Sequence, residues 1–344
     1  MDLSQTLGQK LLLAFEAKQR PSKEIILALK SFQPAGITLC RSLNIENPPQ
    51  VRSLTEALQR QAKEIGLPPL LIATDQEGGQ LMAVGEGTTH LPGNMALGAC
   101  GSVDLARRAG EVLGRELAAM GINIDYAPCA DVNVNPNNPV VGIRSFGEDP
   151  EKVAQLTAAM VAGIQSQGVA ATAKHFPGHG DVANDSHYGL PTLPHSLERL
   201  QKVELPPFRA AISAGTKLIM TAHISLPALD GPDAPPATLS RNILQNLLRR
   251  QLGFEGVIVT DAMDMRAIRQ GEFLGQEAIR AAQAGADLLL LTADPKDQER
   301  VATALTQALK SGELDLVETR NSINRILELK RWLSIHATMP ELSV

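Results

Sequence analysis

Eight short apolar segments, separated by stretches with helical periodicity, constrain the fold of this chain more than any other feature. The segments recur at fairly regular intervals along the 344 residues, at 11–15, 36–40, 70–75, 122–126, 170–175, 218–223, 257–261 and 288–292. Helix-period stretches such as 105–120 and 151–167 lie between most of them, which is the alternation of repeated βαβ units. We predict an α/β fold, a single (β/α)8 TIM barrel over residues 1–344, with a helix at about 316–333 closing the outer ring. Residues 7–15 also fit a helix.

Composition argues against several other classes of protein. The net charge is -5, and acids and bases are interspersed, which argues against nucleic acid or an anionic membrane surface as a partner. The three cysteines show neither CxxC nor Cys/His spacing, so neither a disulfide framework nor a zinc knuckle is expected. No segment approaches the roughly 18 apolar residues of a membrane span, and the first residues lack a signal-peptide pattern. We expect a cytoplasmic monomer without nucleic-acid or membrane partners.

Ionisable side chains stand at the ends of four of the apolar segments. Asp75 ends the third segment, Lys174 and His175 end the fifth, His223 ends the sixth and Asp261 ends the seventh. Any one of them is explained equally well as a helix cap or a solvated loop residue. Taken together they predict a functional site, because the carboxyl ends of the strands form the catalytic face of a TIM barrel.

Residues 174–187 are the part of the chain richest in such groups. Their sequence is KHFPGHGD at 174–181 and DSH at 185–187. They follow an apolar strand, and the glycines and polar residues after that strand indicate a loop. Asp185 and His187 are two residues apart, so an extended loop places both side chains on one side. A carboxylate there orients the imidazole, whose ordinary pKa of about 6.5 suits proton transfer near neutral pH. A solvated histidine on a surface loop is the simpler alternative.

Asp261 directly follows the apolar segment and has no cationic neighbour in the sequence. A carboxylate held rigidly at a strand end can attack an anomeric carbon and form a glycosyl-enzyme intermediate. Asp264 is the rival candidate, although it lies past the strand, where capping the next helix is an equally good role. Asp261 is therefore the stronger of the two candidates for such a carboxylate.

A metal site is a further interpretation of the histidine-rich loop. Its possible ligands are His175, His179, Asp181, Asp185 and His187. The sequence contains neither an HExxH motif on a helix nor an HxH pair on a strand, so no two of these ligands are held rigidly together. We predict no metal and no cofactor.

The motifs taken together resemble glycoside hydrolase family 3, and within it the bacterial β-N-acetylhexosaminidases. The resemblance covers nearly the whole chain, through KHFPGHG at 174–180, DSH at 185–187, DQEGG at 75–79, DYAP at 125–128, RSF at 144–146 and TD at 260–261. It implies a (β/α)8 barrel, in agreement with the segment count. It also implies that Asp261 is the catalytic nucleophile, that His187 is the acid/base and that Asp185 is its partner.

The same resemblance implies how the substrate is bound. Asp75, Arg144, Lys174 and His175 match positions that hold the N-acetylglucosamine ring, and we include His223 because it ends a neighbouring strand. Aromatic residues make up only 3% of the chain, so a stacking platform for a polysaccharide is not expected and a pocket is predicted.

The expected function is that of a retaining exo-β-N-acetylglucosaminidase. It would remove terminal non-reducing N-acetylhexosamine from small glycosides, as in the recycling of peptidoglycan fragments. Phosphorolysis of the same glycosides and β-glucosidase activity are alternatives within the family. A metal-dependent hydrolase and a sugar-binding protein without turnover are more distant ones.

The chain departs from the family pattern after the DQEGG motif. Members of the subgroup commonly have two arginines where this sequence has Gln80 and Ala83. The missing guanidinium groups leave open whether a cell-wall fragment or another glycoside is the substrate.

Overall fold

The strands of this computed structural model, which describes residues 6–183 and 189–337, form a parallel barrel. In chain order the strands are β1 Leu11–Leu13, β2 Gly36–Thr38, β3 Leu71–Thr74, β4 Gln76–Gly78, β5 Leu81–Met82, β6 Ile124–Asp125, β7 Ala170–Phe176, β8 Leu218–Thr221, β9 Val257–Thr260 and β10 Leu289–Leu291. In this part of the chain, eight of them form one sheet in the order β10-β1-β2-β3-β6-β7-β8-β9. A parallel bridge between Val259 and Leu288 joins its two ends. The predicted (β/α)8 barrel is confirmed.

Two local features differ from the simple segment pattern. Residues Leu7–Lys10 form a 3-10 helix and the strand begins at Leu11, so the ambiguous stretch 7–15 contains both kinds of structure. After β3, the short strands β4 and β5 form an antiparallel hairpin that the pattern of apolar segments does not predict. This hairpin carries the DQEGG motif and projects from the carboxyl end of β3.

Helices connect the strands and surround the barrel. They are α1 Lys23–Phe32, α2 Arg41–Asn44, α3 Pro48–Glu64, α4 Asn94–Cys100, α5 Val103–Ala119, α6 Pro150–Gln165, α7 Leu197–Lys202, α8 Pro206–Ser213, α9 Pro227–Asp230, α10 Leu274–Ala284, α11 Pro295–Ser311 and α12 Leu316–His336, with a π-helical segment at Asn242–Gln251. Helix α6 shows how a start is encoded: the side chain of Asp149 accepts from two backbone N–H groups and Pro150 occupies the first turn. None of the helices in residues 6–183 and 189–337 combines the length and apolar composition of a membrane span.

The last helix, α12, covers the amino end of the barrel instead of lying in the outer ring where it was predicted. Its residues Ile326, Leu329 and Leu333 belong to the same buried cluster as inward-facing strand residues such as Leu12 and Leu71. The helix runs three residues beyond the predicted end at 333. It lies near the amino ends of the strands, so the opposite, carboxyl ends face the functional loops.

Candidate active site

The predicted strand-end residues lie together at the carboxyl face of the barrel. Asp75 directly follows β3, Lys174 and His175 lie in the last part of β7, and Asp261 directly follows β9. Arg144 reaches the same place from a 3-10 turn between β6 and α6. The site is therefore built from several strands, as expected for a TIM barrel.

A buried carboxylate, Glu77, ties the two cations of the site together. Lys174 Nζ lies 2.5 Å from Asp75 Oδ1 and 2.6 Å from Glu77 Oε1. Arg144 donates to both oxygens of Glu77, from Nη2 to Oε1 at 2.6 Å and from Nε to Oε2 at 2.9 Å. This paired geometry fixes the guanidinium plane. The side chain of Asp75 remains 42% exposed, so its carboxylate is accessible to a ligand.

Glu77, Lys174 and Arg144 are all charged near neutral pH. Burial by itself would raise the pKa of Glu77, but Lys174 and Arg144 lower the pKa of this carboxyl from 4.5 to about 2. Burial likewise opposes the charge of Lys174, yet Asp75 and Glu77 hold the pKa of this amine above its ordinary value. The cluster is thus a fixed arrangement of charges.

Sequence reasoning assigned Glu77 no role. The residue lies within the DQEGG motif, from which only Asp75 is a predicted sugar-binding residue. The available signal was the spacing: side chains two residues apart in an extended segment point the same way. A carboxylate at 77 is therefore directed to the same side as Asp75, where it meets Lys174 and Arg144.

His175 is held by another buried acid, Asp131. His175 Nδ1 lies 2.7 Å from Asp131 Oδ2, and Asp131 Oδ1 accepts the backbone N–H groups of His175 and His179 at 3.2 and 2.6 Å. The other ring nitrogen of His175 lies 3.4 Å from Arg144 Nη2. Asp131 was also missed, although it follows the apolar residues 126–130 much as the selected residues follow theirs.

Asp261 is partly exposed and accepts the backbone N–H of Ala262 at 2.7 Å through Oδ1. Burial by itself would raise the pKa of this carboxyl. Interactions with His175 and His223, the Ala262 N–H and Lys174 together outweigh burial and hold the pKa of Asp261 below its ordinary value. The carboxylate is therefore ionised at neutral pH, as a nucleophile must be.

His223 is fully buried, and both of its ring nitrogens are engaged. Nε2 donates to the carbonyl oxygen of Ala262 at 3.0 Å, and Nδ1 lies 2.7 Å from Thr238 Oγ1. Burial lowers the pKa of this imidazole, which favours the neutral ring. These bonds hold the backbone that follows Asp261, so the sugar contact predicted for His223 would require one of them to open.

The predicted acid/base pair, Asp185 and His187, lies outside the described residues. Of the two positions that depart from the family pattern, Gln80 is exposed at the hairpin turn. Ala83 is buried, and its N–H donates to the carbonyl oxygen of Asp75 at 2.8 Å. The side chain at 83 thus belongs to the core beneath the hairpin.

Among the residues that the structure describes, two groups bring three potential metal ligands within 4.8 Å of one another: Cys129, Asp131 and His175, and Asp181, His195 and Glu204. In the first group, burial raises the pKa of the Cys129 thiol, which disfavours the thiolate that binds metals. In the second group, Arg199 Nη2 lies 3.4 Å from both Asp181 and Glu204. That guanidinium already supplies the positive charge a metal would bring, so both groups fit hydrogen-bonding roles better.

A closed barrel with ionisable groups gathered at the carboxyl ends of its strands has the arrangement of a TIM-barrel enzyme. The sequence model of the glycosyl hydrolase family 3 N-terminal domain matches residues 3–329. The chain therefore belongs to glycoside hydrolase family 3.

Individual relatives carry the comparison further. β-Hexosaminidase A of Pseudoalteromonas piscicida is 38% identical over 96% of this chain and 61% of its own length. A family 3 β-N-acetylglucosaminidase from Paenibacillus sp. str. FPU-7 superposes with a TM-score of 0.95 at 43% identity, over 98% of this chain and 64% of that one. A β-glucoside phosphorylase superposes with a TM-score of 0.85 at 28% identity, over 97% of this chain and 59% of that one. The chain spans about three fifths of the length of these relatives.

Proposed function

We propose that this chain is the catalytic barrel of a retaining exo-β-N-acetylglucosaminidase. The observation that carries the proposal is the ionised, partly exposed Asp261 at the end of β9, in the same strand-end site as the Lys174–Asp75 pair. The activities named for its relatives support the same reaction. The substrate is a small glycoside ending in β-linked N-acetylhexosamine.

Asp261 acts as the nucleophile. Its Oδ1 is occupied by the N–H of Ala262, which leaves Oδ2 as the oxygen that attacks C1. The bond from C1 to the leaving oxygen breaks as the bond to Oδ2 forms, and a covalent glycosyl-enzyme results. His223 steadies this carboxylate indirectly, through its bond to the Ala262 carbonyl.

His187 supplies the proton that the leaving oxygen requires, with Asp185 as its partner. In the second step the same imidazole takes a proton from water, which attacks C1 and releases the sugar with net retention. Both residues follow, in the sequence, the strand β7 that presents Lys174 and His175.

One sugar ring is held by charged hydrogen-bonding groups. Asp75 provides acceptors, while Lys174 and Arg144 provide donors whose positions Glu77 fixes. Charged partners give the stronger hydrogen bonds to hydroxyl groups. A pocket lined in this way suits an enzyme that removes terminal residues.

A panel of aryl β-glycosides tests the proposal. The N-acetylglucosaminide should be cleaved with a higher kcat/KM than the glucoside and the xyloside. Preference for the glucoside would assign the chain to β-glucosidases instead. Absence of release from every member of the panel would overturn the proposed function.

The His187→Ala variant tests the acid/base assignment. It should slow substrates with poor leaving groups far more than activated aryl glycosides, because only the poor leaving groups depend on protonation. An equal loss on both kinds of substrate would argue against general-acid catalysis by His187.

Phosphorolysis is the second candidate, favoured by the similarity to a β-glucoside phosphorylase. A neutral histidine base repels an anionic acceptor less than a carboxylate base does. Release of sugar 1-phosphate in phosphate buffer would establish phosphorolysis, whereas free sugar alone would leave hydrolysis as the reaction.

We further propose a cytoplasmic monomer that acts on fragments of the cell wall. Gln80 bears on this substrate, since an arginine at this exposed position would attract an acidic aglycone, whereas the side chain at Ala83 lies in the core. Adding an acidic group to the aglycone should therefore raise kcat/KM little, and a large gain would point to another cationic contact.

A further inference from the structure

Asp131 joins three parts of the site, and its carboxylate is fully buried. Oδ2 lies 2.7 Å from His175 Nδ1, and Oδ1 accepts the backbone N–H of His179, at the start of the loop that follows β7, at 2.6 Å. The carbonyl oxygen of Asp131 accepts the hydroxyl of Ser145 at 2.6 Å. Ser145 is the neighbour of Arg144, so one residue anchors the segments that carry both His175 and Arg144.

The contacts determine which nitrogen of His175 carries the proton when the ring is neutral. Burial would raise the pKa of Asp131, but His175 and the N–H of His179 hold it well below its ordinary value. An ionised carboxylate only accepts hydrogen bonds, so the proton of His175 lies on Nδ1. Nε2 then offers a lone pair on the other side of the ring, towards Arg144 Nη2 at 3.4 Å.

We propose that Asp131 is a positioning residue that fixes the orientation and tautomer of His175, so that Nε2 accepts from Arg144 at the proposed sugar pocket. The inference rests on the proposed function, because it assigns His175 to the sugar pocket. Partners of this kind act through the residue that touches the ligand, and replacing such a partner of a metal-bound histidine typically costs about 10- to 100-fold in affinity or activity. We expect a loss of similar size here.

The Asp131→Asn variant tests the proposal. Its amide oxygen can still accept the N–H of His179, while its NH₂ group faces His175 Nδ1 and drives the proton to Nε2. We expect kcat/KM on the aryl N-acetylglucosaminide to fall by about 10- to 100-fold. Long-range proton–nitrogen NMR spectra should show His175 protonated at Nδ1 in the parent chain and at Nε2 in the variant.

A double-mutant cycle separates positioning from a general structural role. If Asp131 acts through His175, Asp131→Asn should cost little more in a His175→Ala background. If the two losses multiply instead, Asp131 acts independently of His175 and the proposal is wrong.

Asp125→Asn is the matched control, since Asp125 is a fully buried acid in the same β6–β7 region that accepts the N–H of Gln76 at 3.0 Å. Burial raises the pKa of Asp125, which favours the neutral carboxyl, and an amide is the closest substitute for that form. This variant should keep kcat/KM within about threefold of the parent.

The NMR measurement keeps the two proposals distinguishable. If the parent chain cleaves no aryl glycoside, the proposed function fails, while the tautomer of His175 still tests the role of Asp131. If the chain is active but His175 carries its proton on Nε2, the positioning role is wrong and the enzymatic proposal stands. The same spectrum of the parent decides the matter if Asp131→Asn does not fold.

Discussion

The two ends of the barrel each hold a buried cluster of ion pairs, and only the cluster at the carboxyl end includes an exposed carboxylate. At the amino end, Asp287 precedes β10 and binds Arg249 Nη2 at 2.5 Å and Arg325 Nη2 at 2.7 Å. Its Oδ2 also accepts the N–H of Ile258 at 2.9 Å. At the carboxyl end, Glu77 binds two cations in a comparable way.

The difference lies in what remains accessible. Asp287 is fully buried, with both oxygens bound by protein groups. The Glu77 cluster instead continues to Asp75, which is 42% exposed, and lies in the same face as Asp261. The Asp287 cluster joins α12 to the strands through Arg325, whereas the Glu77 cluster presents fixed charges to a ligand. The amino end thus serves stability and the carboxyl end serves binding, the division expected of a TIM barrel.

The largest expected effect is on activity, in Asp261→Asn. The amide cannot form the covalent intermediate, so kcat should fall by about 1,000-fold or more, while the free energy of unfolding changes by less than about 1 kcal/mol. Steady-state kinetics and denaturant unfolding measure the two quantities. Asp264→Asn is the control and should keep nearly normal turnover. If Asp264→Asn abolishes activity and Asp261→Asn does not, the nucleophile has been misassigned.

Glu77→Gln should damage both activity and stability. The substitution leaves Lys174 and Arg144 buried with half of their counter-charge gone, a change that typically costs about 3–5 kcal/mol. The sugar-binding groups also lose their fixed positions, so we expect kcat/KM to fall by about 100-fold. Unchanged kinetics in a destabilised variant would show that this cluster is structural, like the one at the amino end.

Asp287→Asn should affect stability alone. Two arginines lose a buried anion, so the free energy of unfolding should fall by about 3 kcal/mol. Because the carboxyl face is intact, kcat/KM should remain within about twofold of the parent value at a temperature where the variant is folded. A matching loss of activity would contradict the separation of the two ends.

Acid should weaken the Glu77 cluster in a defined range of pH. The pKa of Glu77 is lowered from 4.5 to about 2, so its contribution to stability is complete above about pH 4.5 and is lost as the pH falls towards 2. Between pH 5 and pH 3 this group alone should remove roughly 2 kcal/mol from the free energy of unfolding. Glu77→Gln lacks the titrating group and should show a shallower slope, and identical slopes would reject this origin.

The barrel was predictable because its signal is repeated. Most residues of the barrel strands are apolar on both faces, so each buried strand leaves a short hydrophobic segment, and the spacing of the segments indicates the helices between them. The hairpin of β4 and β5 was not predicted, since its strands are two and three residues long and carry Gln76 and Glu77 rather than an apolar run.

The site was predictable where a charged residue ends a strand or matches a family motif. Asp75, Arg144, Lys174 and His175 were selected on those grounds, and the structure brings them together. Glu77 and Asp131 act through other side chains, and such contacts depend on burial and direction that a sequence does not display. For the same reason, the bonds of His223 to Thr238 and Ala262 emerged only with the structure.

Covalent trapping of the nucleophile is the most direct test of this account. A fluorinated N-acetylglucosaminyl fluoride should inactivate the enzyme by forming a slowly hydrolysed glycosyl-enzyme, and peptide mass spectrometry should place the added sugar on Asp261. The Asp261→Asn variant should take up no label. A label on another carboxylate, or turnover of the reagent without any covalent adduct, would contradict the proposed retaining mechanism.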